Sequence, residues 1–198
     1  MKKSAVLLAL VVFVAVTAFG QTGDVAFGAS TLLSSTPASS LVNSGNPYAP
    51  SMGGGTYLSF DGDYTPWHNF GIGGEVSWRA SQNLYLGYQP YRPIFYSANA
   101  VYAPKWGKHF GVDLLAGIGA ESLHFYTPYY QCNGFTCTNY ESSNHFMGVF
   151  GGGLKAYIHG GVFIRPEVRL YVIHNNIEFD SGTPVRAGVS IGYTFGQQ

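Results

Sequence analysis

The sequence predicts an all-β fold, an eight-stranded antiparallel up-and-down transmembrane β-barrel, and three observations carry that prediction. Apolar and polar residues alternate with a period of two in segment after segment from residue 24 onward, and no apolar stripe of period 3.6 appears. The charges gather on one face of those segments. Connections alternate between long and short, as they do in a meander threaded through a membrane from one side. Composition agrees: only 10% of the 198 residues are charged, against roughly 25% in an ordinary soluble domain. With 16% aromatics, 27 glycines and zero formal net charge, the chain is neither disordered nor a polyanion binder, and no nucleic-acid partner is expected.

The first twenty residues are set aside before the strands. Lys2 and Lys3 precede an apolar run over 5–16, and Ala18 and Gly20 supply small residues at the −3 and −1 positions of a cleavage after Gly20. Residues 1–20 are therefore expected to be a signal peptide and 21–198 an exported barrel domain. A retained transmembrane helix needs about 20 apolar residues, and the run is shorter.

The first strand is expected over 25–32. In the second, 56–64, Leu58, Phe60 and Tyr64 oppose Ser59, Asp61 and Asp63; in the third, 70–80, Phe70, Ile72, Val76 and Trp78 oppose Gly73, Glu75, Ser77 and Arg79. The fourth, 94–104, sets Ile94, Tyr96, Ala98, Ala100 and Tyr102 against Ser97 and Asn99. The fifth, 109–124, sets Phe110, Val112, Leu114, Ala116, Ile118 and Ala120 against Asp113, Gly117, Gly119 and Glu121. In the sixth, 146–158, Phe146, Phe150, Leu154, Ala156 and Ile158 oppose Met147, Gly151, Gly153, Lys155 and Tyr157. The seventh, 162–174, opposes Val162, Ile164, Pro166, Val168, Leu170 and Val172 to Arg165, Glu167, Arg169 and Tyr171. The last, 185–196, sorts Val185, Ala187, Val189, Ile191, Tyr193 and Phe195 from Arg186, Gly188, Ser190, Gly192 and Thr194. Connections 34–55, 81–93, 125–144 and 175–184 are long; 65–69, 105–108 and 159–161 are short.

Beyond Lys2 and Lys3, eleven charged residues lie on the polar faces: Asp61, Asp63, Glu75, Arg79, Asp113, Glu121, Lys155, Arg165, Glu167, Arg169 and Arg186. None lies on an apolar face. Asp24, Arg92, Lys105, Lys108, Glu141, Glu178 and Asp180 are assigned to the chain entrance or the connections. A soluble calycin-type barrel would turn the charged face to water, but Gly and Ser share that face, leaving few charges for solubility. The small residues fit better inside, where eight strands leave just enough room for side chains. Aromatics at the segment ends also form two girdles: Trp78, Tyr96 and Phe146 toward the long loops, and Tyr64, Phe70, Tyr102, Phe110, Tyr193 and Phe195 toward the short turns.

Six acids and five bases in so narrow an interior must pair, because an isolated buried charge is costly. A turn centred on Gly160 would set Lys155 across from Arg165, with Asp113 and Glu167 as the nearest available acids. The expected result is a salt-bridge plug and no wide channel.

Arg165-Pro166-Glu167-Val168-Arg169-Leu170-Tyr171 and the closing Gly188-Val189-Ser190-Ile191-Gly192-Tyr193-Thr194-Phe195 resemble the small eight-stranded outer-membrane barrels of the OmpA and OmpX type, the outer membrane protein β-barrel domain group of Gram-negative bacteria. The resemblance covers essentially all of 21–198. It implies residence in the outer membrane, contact with outer-membrane lipid and lipopolysaccharide, and insertion by the barrel-assembly machinery. That machinery reads a terminal aromatic, whereas here Gly196-Gln197-Gln198 follow Phe195.

Cys132 and Cys137 are the two cysteines, and an exported compartment favours one short-loop disulfide that shapes a loop. His68, His109 and His159 fall at short turns, and His124, His145 and His174 toward the long loops, without an HExxH or His-x-His pair, so no metal site and no cofactor are expected. The expected function is non-enzymatic: envelope integrity, or adhesion to an extracellular protein or glycan through loops carrying Tyr85, Tyr88, Tyr91, Tyr126, Tyr129, Tyr130 and Tyr140. Two alternatives stand beside it. One is a lipid A acyl-chain enzyme using Ser122, His124, Glu141 or His145, and the other is a secreted ligand carrier.

Overall fold

Ten strands supply all the regular structure among the described residues, and eight of them close a ring. The computed structural model describes residues 22–34, 51–67, 69–134, 136–176, 178–179 and 182–196. The expected leader, His68 and Asp180 lie outside that set. In chain order the strands are β1 (Thr22–Leu33), β2 (Thr56–Trp67), β3 (Phe70–Arg79), β4 (Asn83–Tyr85), β5 (Gln89–Tyr102), β6 (Lys105–Trp106), β7 (Phe110–Asn133), β8 (Thr136–His159), β9 (Val162–Ile173) and β10 (Val185–Phe195).

The ring runs β1-β2-β3-β5-β7-β8-β9-β10 and returns to β1, antiparallel throughout. Closure between the first and last strands spans Gly23↔Phe195 to Leu33↔Val185, so the wall has no free edge. Across β8 and β9, Gly153 faces Glu167 and Ala156 faces Ile164, which centres the connecting turn on Gly160 (φ 57°). A residue with a side chain is disfavoured at that φ.

Period-two sorting decides which face is which. Val189 and Ile191 are 52% and 56% exposed, whereas their neighbour Ser190 is buried. Phe60, Ile72, Leu114, Ile118, Phe150 and Leu154 point outward like them, while Asp61, Glu75, Asp113, Lys155, Arg165 and Arg186 point inward. This is the reverse of a calycin, whose apolar face turns in and whose charged face meets water. An outer wall this greasy is stable only against hydrocarbon. Trp67, Phe70, Trp106 and Phe110 are exposed at the short-turn end, with Phe70 packed 4.5 Å from Tyr102.

Four local readings change. Asp24, assigned above to the chain entrance, sits on the inward face of β1, which begins three residues earlier than the segment 25–32. The connection 81–93 is largely a hairpin: β4 pairs Asn83↔Tyr91 to Tyr85↔Gln89 around a turn with Leu86 and Gly87 at positive φ. The short turn 105–108 contains β6, which pairs with the start of β7.

The fourth change is the largest. Residues 125–144 are not a loose loop, because β7 and β8 are 24 residues each and stay paired to Asn133↔Thr136, with one irregularity between Tyr126 and Gln131. Neighbouring strands stop earlier: β5 leaves β7 at Tyr91↔Phe125 and β9 leaves β8 at Met147↔Ile173. A two-stranded hairpin therefore projects beyond the ring. Phe125, Tyr126, Thr127, Thr136, Thr138 and Tyr140 have high strand propensity, which extends the ladder where no face is buried.

Candidate functional site

The interior is built first from its glycines. On β8, a Cβ at Gly153 would lie 2.7 Å from Arg165 Cγ and one at Gly151 3.2 Å from Arg169 Cγ, while on β3 a Cβ at Gly73 would strike Asp63. Glycine on the inward face is thus the space that a long charged side chain on the next strand fills.

Around that space the ionised groups form one connected chain of alternating sign. Lys155 pairs with Asp24 and, at 2.7 Å, with Asp113. Asp113 also meets Arg165 at 2.9 Å. Arg165 is 1% exposed and holds Asp61 at 2.6 Å and Glu167 at 3.0 Å, with Asp63 at 3.9 Å. Glu167 bridges on to Arg169 at 3.3 Å and Arg186 at 3.0 Å, and both of those arginines hold Glu75. Strands β1, β2, β3, β7, β8, β9 and β10 are tied together through the axis in this way. Asp113, Glu75 and Glu167 each meet arginines or a lysine from two strands, so the network fixes register as well as charge.

Arg79 and Glu121 stand apart from that network. Both lie nearer the long-loop end, among Leu32, Tyr57, Tyr91, Phe95, Leu123, Met147 and Tyr171, with Phe95 stacked on Tyr171 at 4.9 Å. Arg79 packs on the backbone at Gly55 and faces Tyr57 across the β2–β3 ladder. Glu121 accepts a 3.0 Å hydrogen bond from Asn176 Nδ2.

Asn176 belongs to the connection between β9 and β10, which turns inward. Its Oδ1 accepts from Phe179 N at 3.1 Å, and the Phe179 ring is buried against Tyr91 at 4.9 Å and Tyr85 at 5.3 Å. Met52, from the connection between β1 and β2, is buried in the same cluster. Glu178 contacts His145 Nε2 at 2.9 Å and accepts from Ser143 Oγ at 2.5 Å. The outer mouth is therefore closed by its own loops. Glu178 and Phe179 escape sequence reading because a segment that tucks inward over a mouth has no periodicity to betray it.

The residues kept for acyl-chain chemistry are not assembled into a relay. His124 stacks on Tyr140 at 4.2 Å, Glu141 accepts from Gln131 Nε2 at 3.4 Å, and Ser122 is buried. Ser143, His145 and Glu178 do meet, but serine and glutamate both approach His145 through Nε2. A nucleophile–base–acid relay needs them on opposite ring nitrogens. Among the described residues no group of three His, Cys, Asp or Glu side chains is placed to hold a metal ion.

Outside the ring, the projecting hairpin carries Tyr129 and Tyr130 at 79% and 71% exposure. A disulfide joins Cys132 to Cys137 across the ladder just below the turn, with their Cα atoms 4.0 Å apart. Tyr126 packs edge-on against Tyr140 at 6.0 Å, and Thr127 Oγ1 donates to the Tyr129 carbonyl at 2.9 Å.

No family model and no curated protein matches the sequence. Solved structures do match the fold. The attachment invasion locus protein Ail of Yersinia pestis, in complex with the heparin analogue sucrose octasulfate, superposes with a TM-score of 0.57 at 13% identity, covering 88% of this chain and 99% of that one. The N-terminal β-barrel domain of Pseudomonas aeruginosa OprF gives 0.55 at 13% identity, covering 89% and 98%, and Neisserial surface protein A gives 0.56 at 9%, covering 88% and 96%. The chain has the fold of the small eight-stranded outer-membrane β-barrels.

Proposed function

We propose that this chain is a non-enzymatic barrel of the Gram-negative outer membrane that holds an adhesive hairpin above the cell surface. On this reading residues 1–20 direct export and are removed, and residues 21–198 insert through the barrel-assembly machinery with outer-membrane lipid and lipopolysaccharide against the wall. Nine of the eleven charges named from the sequence pair with one another and with Asp24 inside the barrel, Arg79 and Glu121 being packed nearer the long-loop end, and the filled interior leaves no conducting path.

The observation that carries the adhesive role is the projecting hairpin itself. It exposes Tyr129 and Tyr130 at 79% and 71%, sets Thr127 beside them, and is closed by a disulfide. Amphipathic rings held on a stiff strand contact protein or glycan at low entropic cost. Ail is by its name an attachment protein, and its heparin analogue is a polyanion. The hairpin here carries Glu141 as its one charged residue between 126 and 145. It suits a neutral glycan or a protein surface and not a sulfated polymer.

Replacing residues 127–142 with a short Gly-Ser linker tests this. The truncated barrel should still fractionate with the outer membrane and keep heat-modifiable gel migration, while adhesion of expressing cells to host-type protein or glycan surfaces falls to background. Adhesion at the full level would remove the hairpin from the account. The lipid A mass spectrum should be identical with and without the protein.

A further inference from the structure

We propose that the short-turn end of the barrel binds the phosphate headgroup of an anionic phospholipid from the inner leaflet. This rests on the membrane reading above and is independent of the adhesive one. A recess of about 950 Å³ opens at that end, and among the described residues its lining carries Lys105, Lys108, His109 and His159 but no carboxylate. Two turns bring these four side chains together, with Lys105 and Lys108 supplying the positive charge. Gly107 and Gly160, both at positive φ, form the turns before β7 and after β8, and Tyr157 N donates to the His109 carbonyl at 2.8 Å, docking one turn beside the other.

The cations there are available. The acids nearest in depth, Asp24 and Asp113, are held by Lys155 and Arg165, and neither Lys105 nor Lys108 has a carboxylate partner within salt-bridge distance among the described residues. Lys105 Nζ lies 5.4 Å from the centre of the Tyr157 ring, whose hydroxyl Thr194 Oγ1 reaches at 3.4 Å. The site is thus a concave, positively charged pocket with a structured wall.

The lining also tells lipid from a soluble anion. Thr22, Tyr157 and Thr194 belong to the axial face, but Ile158 and Tyr193 line the recess from the outer, apolar face. The recess therefore crosses the rim of the wall. A phosphate on the cations leaves its acyl chains free to run down the outside past Ile158 and Ile191, at the level where Trp67 and Trp106 stand exposed. A free phosphate would use none of that outer surface.

The test uses the refolded exported chain, residues 21–198. In nanodiscs of phosphatidylcholine with a minor fraction of phosphatidylglycerol, native mass spectrometry should find phosphatidylglycerol retained on the released protein in preference to phosphatidylcholine. Lys105→Gln with Lys108→Gln should weaken that preference about 30-fold, high salt should weaken it too, and Arg92→Gln at the opposite end should leave it unchanged. Both lysines are exposed, and heat-modifiable migration checks that each variant folds. Equal retention of the two lipids, or a preference that survives the double substitution, would overturn the proposal. So would competition by glycerol phosphate at the same concentration as short-chain phosphatidylglycerol, which would make the ligand a soluble anion. A chain that failed to enter nanodiscs would overturn the membrane reading, and this proposal with it.

Discussion

Strands β7 and β8 change character along their length. From Leu114↔Gly152 to Gly119↔Met147 they are two staves of a closed ring, with β5 and β9 hydrogen-bonded to their outer edges. From Tyr126↔Tyr140 to Asn133↔Thr136 the same two strands run on as a hairpin whose outer edges pair with no other strand among the described residues. The backbone ladder is common to both. In the ring, inward groups such as Arg165 and Glu167 are fixed by partners on several strands, and the outward side chains form one continuous apolar surface. In the hairpin no other strand covers either face among the described residues, and local pairing with one disulfide supplies the order. A two-stranded hairpin is marginal alone in water, so the ring anchors one end of this one and the disulfide the other.

The largest test of that contrast is Arg165→Met. The arginine touches Asp61, Asp113 and Glu167. Removing it leaves three carboxylates facing one another in low dielectric, which costs about 3–5 kcal/mol. Refolding into lipid vesicles under urea, followed by heat-modifiable migration, should show the midpoint displaced accordingly. A loss below about 1 kcal/mol would mean that ring and hairpin are held alike, by pairing and not by the axial network. Replacing Lys155 with Met should recover part of its own loss when Asp24→Asn is added, since the second change removes the charge the first one orphans.

Glycine sharpens the same contrast on a smaller scale. A Cβ at Gly119 would sit 2.0 Å from the Tyr96 carbonyl oxygen, so Gly119→Ala must displace backbone in the β5–β7 wall, at about 1–3 kcal/mol. Gly148→Ala meets nothing closer than 3.8 Å and should be tolerated. Equal urea midpoints for the two variants would show that the wall flexes enough to absorb the methyl group.

What could be read from the amino-acid order follows from the same physics. Inside the ring, burial on one side and hydrocarbon on the other force a strict period of two, so segment parity in 56–64, 162–174 and 185–196 places Asp61 and Arg169 inward and Val189 outward without any coordinates. Asp24 was misplaced because the first segment carries small residues on both faces, Ala26 and Gly28 inward and Ala29 and Thr31 outward, which leaves no contrast to read. Residues 125–144 looked like a loop because nothing above the ring sorts side chains by face, although Tyr and Thr propensity there favoured strand. The partners of Lys155 and Arg165 were confined to a short list by register, yet only closure of the ring, which brings β1 and β2 beside β10 and β9, puts Asp24 and Asp61 within reach.

The disulfide gives a third test, with a smaller effect. Closing the loop between Cys132 and Cys137 is worth about 2 kcal/mol by chain entropy, but that stabilisation falls on the hairpin tip. Cys132→Ser with Cys137→Ser should leave the urea midpoint of the ring where it was, while amide exchange over residues 126–140 accelerates severalfold. A displaced ring midpoint would make tip and wall one cooperative unit and erase the distinction drawn above.

The smallest effect on stability, and the largest on the proposed role, comes from Tyr129→Ser with Tyr130→Ser. Both rings stand in solvent, and neither contributes to the buried cluster formed by Tyr57, Tyr91, Phe95 and Tyr171. Exposed substitutions of this kind change stability by about 0.5 kcal/mol or less, so midpoint, membrane fractionation and hairpin exchange should match the parent. Adhesion should fall, because the apolar area presented to a partner is gone while the scaffold beneath it is intact. If binding survived with both rings absent, the ligand would have to engage backbone or the hydroxyls of Thr127 and Thr138, and the hairpin would act through its free strand edge instead of its aromatic face.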